Sequence, residues 1–189
     1  MIRIIKMTVK NNIIYSADPI LLLSKEEWVQ DFKLEQNTIG KPYILVYAIS
    51  SIPKNSEIFK LAEILSIETK LEIINLGYYY QQGRLRTKNV AVEKFLELIY
   101  HADYVLTTSY HAVLFSLIFQ KIFYAYDPID QPENLKEILA KLNLISRYVI
   151  TVSDGLKLTD NIPYNEVEKM LQKLREEGKK QLQEKLSAI

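Results

Sequence analysis

The sequence predicts an α/β protein: a parallel sheet with helices packed on both faces. Three observations carry this. Tyr43 to Ile49 is apolar at every position, as a strand covered on both sides must be. From there onward, short β-rich runs alternate with segments of helical periodicity. The chain has 189 residues, 48% of them hydrophobic and 25% charged, enough to bury a substantial core without staples.

The elements follow in order. After the first strand, Ile58, Leu61, Ala62 and Leu65 recur at helical spacing within 56–69, with Asn55 or Ser56 available as cap. Residues 71–77 read as a second strand and 78–89 as a loop. Residues 90–102 form a helix with Phe95, Leu98, Ile99 and Ala102 on one face. Residues 104–108 are a third strand, leading at once into an apolar helix over 111–120. A fourth strand spans 122–126, a helix runs from Pro132 to about Leu142, and a fifth strand spans 148–152. A long amphipathic helix from about Pro163 to Leu186 ends the chain, with Gly178 expected to interrupt it. Strands joined through helices imply parallel pairing with right-handed crossovers. Residues 1–42 do not fit the alternation and read as a lead-in that packs beside the sheet. Within it, Asp18 before Pro19 suits a turn cap, and Ser24 with Glu27 forms a capping box. The expected division is thus 1–42 lead-in, 43–162 α/β domain and 163–189 helix.

Composition narrows the function. Lys plus Arg number 24 and Asp plus Glu 23, a net charge of +1, so nothing favours a nucleic-acid or anionic-membrane partner. No cysteine is present, which excludes disulfides, zinc-thiolate sites and cysteine nucleophiles. No apolar run approaches the ~18 residues of a membrane span, and no secretory leader is evident, so a cytoplasmic location is expected. Five glycines argue against a glycine-rich phosphate loop, and thirteen tyrosines suggest aromatic walls.

In parallel α/β sheets, ligands bind outside the carboxyl ends of the strands. That rule nominates Tyr47 and the loop after it, the loop 78–89, and the turn 107–111. In the turn, Ser109 is placed to cap the next helix, whose first N–H groups can receive an anion beside Thr108. His111 falls in that helix's first turn, where it can serve as general acid or base or bond an anion, or stand as a solvated surface imidazole. In the loop, Arg84, Arg86 and Lys88 alternate, so an extended backbone puts three cations on one side. They form an anion site or a solvated basic loop. No HxxxH, DxD or GxSxG pattern occurs, and no metal is expected.

Two stretches resemble the polysaccharide pyruvyl transferase family. Residues 16–28, SADPILLLSKEEW, are similar to the family's Asp-Pro-x-Phe-Leu-Leu-Ser-x-Glu-x-Trp segment. Residues 93–119, EKFLELIYHADYVLTTSYHAVLFSLIF, are similar to its helix, strand, Ser-Phe-His-Gly turn and Phe-Ser-x-x-Phe helix, and Lys121, Phe123 and Tyr124 continue the likeness. Ala112 stands where that turn has glycine, and Asn134 where an arginine is expected. The resemblance implies a GT-B-like, two-domain architecture, with this chain as the carboxyl-terminal Rossmann-like half. The missing amino-terminal domain would be a partner toward which the last helix reaches back. It implies transfer of pyruvyl from phosphoenolpyruvate onto two hydroxyls of a cell-surface polysaccharide or its precursor, as a ketal. Phosphoenolpyruvate is then the donor substrate and no cofactor is needed. His111 maps to the catalytic turn histidine and Ser109 to the helix start. Arg84 and Arg86 suit the donor's phosphate and carboxylate. A nucleotide-sugar glycosyltransferase domain and a degenerate partner module remain alternatives. A homodimer is a further expectation, since part of the tail's apolar face would lack a partner.

Overall fold

The computed structural model describes residues 17–48, 56–77, 90–126 and 132–187. Strands β1 (Tyr43–Ala48), β2 (Glu72–Gly77), β3 (Tyr104–Thr107), β4 (Ile122–Tyr126) and β5 (Tyr148–Val149) form one parallel sheet in the order β2-β1-β3-β4-β5. The helices are α1 (Lys25–Phe32), α2 (Glu57–Thr69), α3 (Val92–His101), α4 (Tyr110–Ile118), α5 (Pro132–Lys141), α6 (Val152–Leu156) and α7 (Tyr164–Leu186). The predicted α/β class and the expected strands and helices are present, most within one or two residues.

Alternation along each strand divides the core into two layers. Tyr43, Leu45, Val105, Phe123 and Ala125 join the apolar cluster built with α3, α4 and α5. Ile44, Val46, Leu106, Tyr124 and Tyr126 face the other way, onto Ile58, Leu61, Ala62 and Leu65 of α2. Helices therefore cover both faces. Asp103 fastens the start of the sheet: its Oδ2 accepts from the Tyr43 N–H at 3.0 Å, while its own N–H donates to the Tyr43 carbonyl.

Residues 17–42 lie over the helical layer. A single 3-10 turn, Pro19–Leu22, packs on α4 and α7. Leu21 is buried in the same cluster as α4, and the Trp28 ring meets Phe115 edge-on at 5.0 Å. The Ser24–Glu27 capping box is formed as expected.

Two details differ from the sequence reading. The fifth strand stops at Val149 rather than 152, because Thr151 and Asp154 form a second capping box that starts α6. Gly178 does not interrupt α7; the helix runs through it because the missing side chain lets the turn approach. A Cβ there would lie 2.8 Å from Leu22 Cδ2 and 3.3 Å from Ala17 Cβ. His101 Nε2 lies 2.7 Å from the Leu34 carbonyl, which closes the lead-in onto α3. Along α7, Val167 and Leu171 are buried, whereas Leu182 and Leu186 are 50% and 63% exposed.

Two expectations follow from this packing. A Cβ on Gly155 would sit 2.5 Å from Leu61 Cδ2, where α6 meets α2. Gly155→Ala therefore costs about 1–2 kcal/mol, overpacking outweighing the helix-propensity gain, and urea unfolding should show a lower midpoint. The second concerns Glu97. Burial pushes its carboxyl up, but bonds from the Thr38 hydroxyl and N–H and from Lys94 outweigh that and hold it below its ordinary range. Its contribution is complete above the unfolded carboxyl's range and is lost as pH falls through the lower folded value. The stability gap between the parent and Glu97→Gln should thus be present at about pH 7 and shrink toward about pH 3.

Candidate functional site

The strand order reverses between β1 and β3: the chain leaves β1 toward β2 on one side and returns to β3 on the other. A crevice opens at the carboxyl ends of such a pair. The two strand ends are tied there. Thr107 Oγ1 donates to the Tyr47 carbonyl at 2.7 Å, and the Thr108 N–H donates to the same oxygen at 3.2 Å. Thr107 Oγ1 also accepts from the Ser109 N–H at 2.9 Å, which bends the chain out of β3. Thr107, Thr108 and Ser109 are all buried.

Ser109 then caps α4, as its position in sequence predicts: its Oγ accepts from the Ala112 N–H at 3.3 Å and its carbonyl from the Val113 N–H. The amides of Tyr110 and His111 precede the first helical hydrogen bond, so the positive end of the helix faces the crevice. The His111 side chain is 62% exposed there. Tyr110 lies in the same turn, its ring centroid 5.6 Å from that of His111. Burial, with help from Asp18 and Glu137, pushes the Tyr110 phenol up to about 12, so it stays a neutral hydroxyl.

Tyr47 reaches the helical layer from the end of β1. Its ring lies 5.0 Å from Phe95, and burial raises its phenol. Phe95 meets Phe115 at 6.3 Å and Phe115 meets Trp28, so a chain of aromatic rings runs from the end of β1 into the helical core. Of the sequence-predicted residues, the fold thus brings Tyr47, Thr108, Ser109 and His111 to one sheet edge. Arg84, Arg86 and Lys88 lie outside the described residues.

One residue of this edge escapes the sequence reading. Asp18 does cap its turn, its Oδ1 accepting from the Ile20 N–H at 3.0 Å. Its Oδ2, however, lies 3.8 Å from His111 Nε2. The available signal was that Asp18 and His111 each belong to one of the two stretches that carry the family resemblance. The contact joins those stretches in space. A hollow of about 410 Å³ lined by Lys25, Glu35, Tyr100, His101, Phe119 and Lys121 lies at the other sheet edge, before β4. Among the described residues no cluster of His, Asp or Glu could hold a metal ion, and no helix is long and apolar enough to cross a membrane.

Comparison with known proteins fits this geometry. Residues 3–131 match the model of the polysaccharide pyruvyl transferase family. The chain belongs to that family. No curated protein matches the sequence. Among solved structures, this pyruvyl transferase family member is similar to the crystal structure of the glycotransferase of kitacinnamycin, with a TM-score of 0.51 and 15% identity. The match covers 76% of this chain and 41% of that one. At that identity the likeness concerns the fold alone, the parallel sheet with its covering helices.

The Thr107 hydroxyl both donates and accepts, so Thr107→Val leaves the buried Ser109 N–H without its partner while keeping the shape. A loss of about 1–3 kcal/mol is expected in chemical denaturation, and amide exchange at residues 108–112 should quicken.

Proposed function

We propose that this chain is the donor-side half of an enzyme that transfers the pyruvyl group of phosphoenolpyruvate to a sugar of a cell-surface polysaccharide or its precursor. The observation that carries it is the turn 107–111, which sets His111 and the amino end of α4 together at the switch point of the sheet. Family membership supports it. The donor is a small dianion or trianion, and a helix amino end with Arg84 and Arg86 offers what its phosphate and carboxylate need.

The reaction balances as follows. One sugar hydroxyl adds to C2 of the enol while C3 takes a proton and becomes a methyl group. The bond from C2 to the phosphate oxygen then breaks, the second hydroxyl adds to C2, and its proton leaves. The products are a cyclic ketal and inorganic phosphate. His111 relays the hydroxyl proton and delivers one to C3. Thr108, Ser109 and Tyr47 shape the donor pocket, and the acceptor lies between this half and an amino-terminal half. The work belongs to the cytoplasm, where phosphoenolpyruvate is found, and requires no cofactor.

The test is phosphate release from phosphoenolpyruvate in the presence of a glycan diol, by this chain joined to its amino-terminal half. His111→Ala should lower kcat by about a hundredfold or more. Calorimetry should show phosphoenolpyruvate binding, and nucleotide sugars should leave the melting temperature unmoved. Turnover unchanged in His111→Ala, or no donor binding, would sink the reading.

A further inference from the structure

We propose that Asp18 is a positioning residue for His111: its carboxylate faces Nε2, fixes the proton there and leaves Nδ1 as the nitrogen that takes and returns protons. This rests on the reading of His111 as the proton-transfer group.

The geometry is built rather than incidental. Pro19 restricts the backbone just after Asp18. The Asp18 carbonyl accepts from the Leu21 N–H at 2.9 Å, and Oδ1 accepts from the Ile20 N–H, so the direction of Oδ2 is set by the turn. The turn itself is clamped. Trp28 Nε1–H donates to the Ile20 carbonyl at 3.1 Å, Leu21 is buried, and Leu22 and Ala17 press on Gly178 of α7. All this ends in a carboxylate 3.8 Å from an imidazole that is itself mostly exposed. Exposed pairs of this kind add little to stability, so a clamp of this extent is not explained by the pair's own energy. A functional reason is available. A carboxylate only accepts, so the nitrogen facing it carries the hydrogen and the opposite nitrogen keeps its lone pair. At 3.8 Å the pair is an electrostatic contact rather than a hydrogen bond, and the carboxylate's negative charge favours the tautomer with its N–H toward Asp18.

Asp18→Asn tests this without dismantling the turn, since the amide oxygen can keep the bond from Ile20 while the NH₂ group faces Nε2. An N–H aimed at Nε2 demands a lone pair there and inverts the tautomer. Nitrogen-15 imidazole shifts of the full chain above the titration range should report Nε2–H in the parent and Nδ1–H in Asp18→Asn. Asp18→Ser, which keeps a capping oxygen but no carboxylate, should show a mixture. In the turnover assay, kcat of Asp18→Asn should fall about tenfold or more with KM little changed, whereas a purely structural Asp18 would spare both. The same tautomer in the parent and Asp18→Asn overturns the proposal whatever the activity. So does an inverted tautomer with unchanged kcat. Inversion in a chain that does not turn over phosphoenolpyruvate supports the Asp18–His111 coupling and puts the fault on the substrate reading.

Discussion

Helix α4 is buried on every side except its first turn, and the rest of the helical face is arranged to meet that demand. Ala112 through Ile118 are all buried, including both helix faces that a sheet cannot reach. Each large apolar side chain left in water would forfeit about 1.5–3 kcal/mol, so an outer layer is required. The turn at 19–22, Trp28 and Tyr164 supply it. The Tyr164 hydroxyl donates to the Lys121 carbonyl, which seats the start of α7 at the far end of α4. The Lys121 ammonium, pushed down by burial, bonds the Tyr100 carbonyl beside it. The stack is therefore sheet, α4, then lead-in and α7. That order is what delivers Asp18 to the amino end of α4.

Much of this architecture was legible because it rests on local chemistry. Continuous apolar runs marked strands covered on both faces, and helical spacing in 56–69 and 90–102 marked the amphipathic partners. The failures have a common cause. Val149, Ile150, Thr151 and Val152 are all β-branched, so strand propensity extends through them, yet the Thr151–Asp154 capping box wins at a sheet edge where pairing offers little. Gly178 reads as a break from propensity alone, but the contact with Ala17 and Leu22 makes its lack of a side chain the condition for helix packing. Ser56 takes the cap position of α2 as expected, although its hydroxyl makes no capping bond there.

The candidate site divides in the same way. Ser109 as cap and His111 in the first helical turn could be read from a few consecutive residues, because strand, turn and cap are sequential. Thr107 lay in the nominated turn, but its role was not legible, since it rests on a carbonyl of β1 that only the folded sheet brings near. Asp18 read as a turn residue, which it is. Its second oxygen meets His111 through a layer of packing that no local pattern encodes.

The brevity of β5 has its own consequence. Only Tyr148 and Val149 pair with β4, at Ala125 and Tyr126. Beyond them the Thr151 N–H is already taken by Asp154 Oδ2, and the chain turns away into α6. A polypeptide approaching that side finds no ladder long enough to extend, which is how sheets guard a border against unwanted strand exchange. The opposite border is different: β2 runs six residues, with Lys41 and Glu72 paired at its start. Among the described residues, β2 is the longer of the two border strands and has the length to template another strand.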